Sequence, residues 1–461
     1  MGVGDGLNRK ILAVARSILA NNLNVMNGES VLIISDDIEI SEALAHETKN
    51  LQGEPSIFYI SDLIRPIRQI SEPLKSAIKS SDVVLTPMKR LEEETEFRIS
   101  ITRFAKDLGK ARVAHMPGVT RDIFLSDVLE ADPNKMEETG NKIAEILTKG
   151  RDLRITTNKG TDLSMKIGGW DRTADADVGL ITLPKQLDNL PAGECFISPL
   201  EESANGKLVI DGSCPGILLK NDETIELEIR KGFVVNIKRG KIAKKYSESL
   251  EKVKEKCIDK EQRKNVFAIA EFGIGLNEKA KLIGLPVVDE KVLGTAHIAL
   301  GSNKFIGGKI EAPNHHDLIF LNPTVYVDDI RIIENGELQL DLIDKMCYES
   351  YIKVENLKFN ENMEVRRCNV PGIVSSSEER LYRWWVGPTG NGYTRRVGDV
   401  ETSEVARVIW EELSYKKYKK VLEVHRNVKG EIENITEKEC SIEIILKILQ
   451  IMDGYQLLNW K

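Results

Sequence analysis

Six histidines occur in the 461 residues, and His297, His315 and His316 fall within twenty residues of one another. Metal binding is the economical reason for such clustering, because imidazole nitrogen suits many divalent first-row ions. In APNHHDLIFL the residues after Asp317 are apolar and branched, so this segment is expected to enter a strand. Residues two apart on a strand project to one face, which lets His315 and Asp317 reach one ion together while His316 points away. The blander reading is a polar turn ahead of a strand.

His297 sits in GTAHIALGS, where small neighbours leave room for an ion or a substrate backbone. A lone histidine in an apolar strand is usually a core residue satisfied by backbone partners. Nearness to the His-x-Asp pair turns this one towards a ligand role. Glu271 closes the apolar run VFAIAE ahead of FGIGLN, and Glu194 interrupts the otherwise uncharged NLPAGECFISP. A carboxylate in such surroundings is costly unless it meets a cation. Without the histidines both glutamates would read as N-caps or ion-pair partners. Asp289 and Glu290 in VVDEKVLG read as a solvated turn, with a role at the site for Glu290 as the alternative.

The elements that must position these groups fall into three parts. Residues 1–150 alternate branched runs (SVLIIS, PSIFYI, DVVLT, RVAHM) with amphipathic stretches such as Ile40–Leu51 and Leu91–Leu108. That rhythm predicts βαβ units in a doubly wound α/β domain with a parallel sheet. No strand is followed by G-x-G-x-x-G or G-x-x-x-x-G-K-[ST], so no nucleotide site is expected. Residues 151–343 change to strands and turns, LRITT, LSMKIG, KLVID and the hairpin TIELEI-RKG-FVVNI turning at Gly232, with one helix near Ser247–Gln262. This stretch is expected to be a β-rich α+β metal-binding domain. Residues 344–461 hold four of the five tryptophans and are expected to form a small α+β domain, with a hairpin at GPTGNGYT and helices at Ser403–Leu413 and Ser441–Met452.

Composition bounds the partners. Sixty-five Lys+Arg against 72 Asp+Glu give a net charge of −7, which provides no basic field for nucleic acid. The start MGVGDGLNRK has no apolar signal region, and no run approaches the roughly 18–20 apolar residues of a bilayer crossing, so a soluble cytoplasmic protein is expected. Six cysteines without a CxxC pair fit reduced thiols better than disulfides or a zinc ribbon.

The segments NLPAGECFISPLEESANGKLVIDGS, AEFGIGLNEKAKLIG, DEKVLGTAHIALGSNKFIGGKIEAPNHHD and NPTVYVDD resemble the thermophilic metallo-aminopeptidase family, aminopeptidase T. The likeness runs from about residue 8 to about residue 340. It implies two divalent metals (zinc, cobalt or manganese) on Glu194, Glu271, His297, His315 and Asp317, with Glu271 as bridge or general base. Glu290, Lys304 and His316 are expected behind these ligands. The implied reaction is removal of N-terminal residues from peptides by a metal-activated water, in a homodimer. One family feature departs, since the tyrosine expected seven residues after the first metal histidine is Lys304. The pattern is also similar to that of 2,5-dihydroxypyridine dioxygenases, and His297, His315 and Asp317 alone make the two-histidine, one-carboxylate set that suits one Fe(II). A mononuclear oxygenase acting on a small molecule is therefore the second reading. A non-catalytic peptide-binding accessory protein with the tryptophan-rich unit as its binding part is the third.

Overall fold

The computed structural model describes residues 8–343, apart from 62, 108–110, 169–171, 183, 221 and 239, together with 364–367, 419–420, 424–429 and 458–460. The hairpin and two helices expected after residue 344 lie outside these residues.

A five-stranded parallel sheet has the order Glu54–Tyr59, Ser30–Ser35, Val83–Met88, Arg112–Pro117, Leu187–Asn189. Successive side chains of a strand alternate between faces, and here both faces are apolar. Val31, Ile33, Val83 and Leu85 pack on one side under the helices Arg9–Ser17 and Ile38–Asn50. Leu32, Ile34 and Val84 pack on the other under Glu72–Ser80 and Thr95–Asp107. The doubly wound sheet expected from the alternating runs is present. It takes its fifth strand from beyond residue 150, where Val113 N donates to Gln186 O and Leu190 N to His115 O.

Two antiparallel sheets follow. The eight-stranded one runs Phe233–Lys238, Ile225–Arg230, Asn205–Ile210, Asp162–Lys166, Asp152–Thr156, Thr324–Val327, Ile330–Glu334, Glu337–Leu338. The seven-stranded one runs Ile217–Leu218, Ser213–Cys214, His315–Leu321, Thr295–Gly301, Ile269–Gly275, Glu194–Ile197, Asp175–Asp177. Their shared core takes Ile155, Leu163, Leu208 and Leu227 from the first sheet and Ile197, Phe272, Ile274, Ile298, Leu318 and Phe320 from the second. The seven-stranded sheet thus turns a mainly apolar face to this core, and the intervening residues of the same strands form the other.

The single helix expected over Ser247–Gln262 is two, Gly240–Lys256 and Lys260–Asn265. The break comes at Asp259, whose carboxylate caps the second helix by accepting from the backbone N–H groups of Glu261 and Gln262. No helix among the described residues is long and apolar enough to cross a membrane.

Candidate metal centre

Register on the seven-stranded sheet decides which side chains meet. Glu271 lies opposite Ala299, and Ala299 opposite Asp317, while Gly273 lies opposite His297 and Gly275 opposite Glu194. Because Phe272, Ile274, Ile298 and Leu318 enter the core, the alternate residues Glu194, Glu271, His297, His315 and Asp317 share the opposite face. His316 takes the core side, its ring centroid 6.2 Å from that of Tyr246.

The five shared-face residues form an alternating chain of carboxylate and imidazole. Glu194 Oε2 stands 3.3 Å from His297 Nε2, which stands 3.2 Å from Glu271 Oε1. Glu271 Oε2 stands 3.2 Å from His315 Nε2, which stands 3.3 Å from Asp317 Oδ1. Both imidazoles therefore meet on the single carboxylate of Glu271. Within the chain, ligand atoms of Glu194, Glu271 and His297 all lie within 4.8 Å of one another.

Two local devices aim the rings. Gly273 carries no side chain beneath His297; a Cβ there would fall 2.2 Å from Cε1 and Nε2 of the ring. His315 Nδ1 lies 2.8 Å from the carbonyl oxygen of Ser302, so the proton on Nδ1 is donated to that oxygen and Nε2 is turned to the carboxylates. The edge of the Phe305 ring meets His315 with centroids 4.9 Å apart, and Phe305 is 56% exposed. His297 is fully buried, whereas the His315 side chain keeps 20% of its surface, so the chain opens to solvent beside Phe305.

Behind the chain lies a second tier of charge. Lys291 is fully buried, with Nζ paired to Glu194 Oε1, 3.0 Å from Glu290 Oε1 and 3.7 Å from Asp177 Oδ2. Asp177 also accepts from Asn189 Nδ2 at 2.8 Å. The turn around Asp289 and Glu290 is not solvated as expected. Asp289 is fully buried and accepts from the backbone N–H groups of Ile283 and Gly284, while Glu290 follows the short helix Pro286–Asp289 into the site.

These neighbours shift the protonation of each group. Burial pushes the Glu271 carboxyl up, but hydrogen bonds to His297 and His315 outweigh it and hold the group below its usual range. Burial lowers His297, yet the Glu271 and Glu194 carboxylates bring it to about 9, and Asp317 with Glu271 likewise raises His315 well above its usual value against its own burial. Asp317 sits well below the usual carboxylate range because its own burial is overcome by His315. Glu290 is driven well above its ordinary value by burial, against the pull of Lys291, and its hydrogen bond in turn helps to hold Asp317 down. Burial also raises Glu194, and brings Asp177 to about 7.

The donor set fits a divalent cation. Each Nε2 faces two carboxylate oxygens, more acceptors than one N–H serves, and Glu194 Oε2 is buried without a hydrogen-bond partner. Mixed imidazole and carboxylate ligands of this kind take iron, zinc, manganese or cobalt. Lys304, by contrast, reaches Glu311 at 2.6 Å on the surface, both side chains more than half exposed. Lys291, Asp177 and Phe305 are the members that sequence reasoning passed over. The cue available for Lys291 was Gly275 in FGIG, whose missing side chain admits the backbone of 291–292.

Residues 127–340, which include every residue of this cluster, match the family model for the 2,5-dihydroxypyridine 5,6-dioxygenase NicX. A 2,5-dihydroxypyridine 5,6-dioxygenase from Pseudomonas putida is 29% identical over 204 residues, 42% of this chain and 55% of that protein. The matched stretch thus spans about half the length of that relative. The solved 2,5-dihydroxypyridine dioxygenase of P. putida superposes with a TM-score of 0.58 at 20% identity, covering 71% of this chain and 96% of that one. Wild-type AmpT from Thermus thermophilus does so with a TM-score of 0.50 at 14% identity, covering 72% and 99%. These two likenesses show the fold, including the aminopeptidase-like arrangement that the motifs implied. They do not carry the peptidase reading. The family model and the curated relative both name a dioxygenase, and this corrects the expected hydrolase, aminopeptidase and metalloprotease assignment. The side chain at the expected tyrosine position agrees with the correction, since Lys304 is spent on a surface ion pair.

Proposed function

We propose that this chain is a mononuclear non-haem iron dioxygenase that opens a dihydroxylated aromatic ring of the dihydroxypyridine type. The observation that carries the reading is that two imidazoles meet on one carboxylate, Glu271, inside the stretch that matches the dioxygenase family. Two histidines and a carboxylate with open positions are the ligand set of non-haem Fe(II) oxygenases. His297, His315 and Glu271 would hold the ion, and Asp317 and Glu194 each offer one further oxygen beside an imidazole. When bound, ferrous iron supplies activation of dioxygen and a Lewis acid for the ring hydroxyls.

The protein's own part is binding, orientation and proton placement. Ser302 O fixes the His315 tautomer, and the bare backbone of Gly273 beneath His297 gives that ring its place. Glu290 Oε1 lies 3.0 Å from Lys291 Nζ, and Glu290 also hydrogen-bonds Asp317, so it links the buried lysine to the ligand chain. The exposed edge of Phe305 gives an aromatic substrate an apolar wall on the side where His315 is partly open. Burial of the remaining groups keeps bulk water from the ring while it reacts.

Anaerobic purification, loading with Fe(II) and exposure to 2,5-dihydroxypyridine in an oxygen electrode tests the reading. One dioxygen taken up per ring consumed, with both atoms found in the product by isotopic labelling, is the expected outcome. Iron-loaded protein that consumes no oxygen with dihydroxypyridines or dihydroxybenzenes would overturn it.

A further inference from the structure

Lys291 is a fully buried cation that the ligand chain itself does not use. Its entry is built into the sheet. After the helix Pro286–Asp289 the backbone of 291–292 lies directly on Gly275, where a Cβ would fall 2.0 Å from Val292 O. Gly275 is the register partner of Glu194, so the lysine enters over the row that carries that glutamate. A buried ammonium is costly unless carboxylates surround it, and Glu194, Glu290 and Asp177 do.

Glu194 then has two oxygens with different neighbours. Oε1 is held by Lys291 Nζ, and Oε2 faces His297 Nε2 at 3.3 Å with no hydrogen bond of its own. We infer that Lys291 is a positioning residue: it pins Oε1 so that Glu194 presents one oxygen, Oε2, to the ion it shares with His297. A carboxylate without that anchor can turn or chelate through both oxygens. The inference rests on the metal-centre reading above and not on which reaction the metal serves.

Titration of the metal-free full chain with Co(II), followed by visible absorption, tests it. K291M and E194Q should each weaken Co(II) binding by at least about tenfold and alter the absorption band, in keeping with residues that orient a ligand. The double variant should be no weaker than the weaker single one, because the lysine acts through the glutamate. K304M, which removes a lysine paired with Glu311 on the surface and leaves the Lys291 to Glu194 pair intact, should stay within about threefold of the wild type. The idea is overturned by K291M binding like wild type, by additive losses in the double variant, or by K304M losing as much as K291M. Should K291M fail to fold, infrared difference spectra of wild type on Co(II) binding decide, with the Glu194 band identified by its loss in E194Q. Monodentate splitting is expected and a chelating carboxylate refutes the inference. Wild type that takes up no Co(II) sinks the metal centre itself, whereas tight wild-type binding with an indifferent K291M sinks only the role of Lys291.

Discussion

Gly273→Ala tests the placement of His297 with one methyl group. The added Cβ would lie 2.2 Å from two ring atoms and 3.0 Å from Nδ1, well inside contact distance. The ring has nowhere to retreat, because His297 is fully buried and its strand is paired on both sides. Displacement of a packed side chain from its rotamer costs about 0.5–1.5 kcal/mol, and overpacking of a buried site typically about 1–3 kcal/mol. The metal-free protein should therefore lose about 1–3 kcal/mol of stability. Nε2 would also leave its contacts with Glu194 and Glu271, so Co(II) affinity should fall about tenfold to a hundredfold, the range found when the support of a ligand is removed. Denaturant unfolding measures the first effect and Co(II) titration the second. G273A protein that binds Co(II) like wild type would show that the glycine does not set the ring's position.

Three further outcomes are expected. E271Q removes the charge on which both imidazoles meet and should keep the fold while retaining less than about a tenth of the bound iron, as read by elemental analysis; full occupancy would remove Glu271 from the ligands. F305A should raise KM for the aromatic ring about twofold to tenfold, the worth of an edge-to-face contact of about 0.5–1.5 kcal/mol, with iron content unchanged; an unaltered KM would clear Phe305 of substrate contact. His115 supplies a pH test, since burial and then Arg98 and Arg90 bring its pKa down to about 3. The unfolded imidazole takes its proton first, so its contribution is complete above about pH 6.5 and is lost as pH falls towards 3. H115Q should accordingly flatten the acid side of the stability curve by roughly 1 kcal/mol per pH unit between about pH 6 and pH 4. Parallel curves for wild type and variant would refute the assignment.

Much of the site was legible because strands obey a simple period. His-x-Asp before an apolar run places two ligand types on one face, and Glu271 at the end of VFAIAE does the same from the neighbouring strand. What the period could not supply was register, which alone brings Gly273 under His297 and Glu194 beside Gly275. Lys291 was hidden for the same reason: acidic residues beside a lysine look solvated until a distant glycine makes room for them inside. The choice of chemistry was harder still. A peptidase-like arrangement and an oxygenase-like ligand set occupy one fold, and the motifs that resemble aminopeptidase T mark that shared scaffold rather than the reaction.

The late return of Leu187–Asn189 to the parallel sheet has a consequence for biosynthesis. The edge of Arg112–Pro117 waits unpaired until some seventy further residues have left the ribosome, and those residues include three strands of the other sheets. A fragment ending near residue 150 would therefore carry a bare β-edge and tend to aggregate. Asn189, the last residue of that returning strand, also clasps Asp177, so the strand that closes the first sheet sets one wall of the charged pocket before Lys291, about a hundred residues further on, is made to fill it.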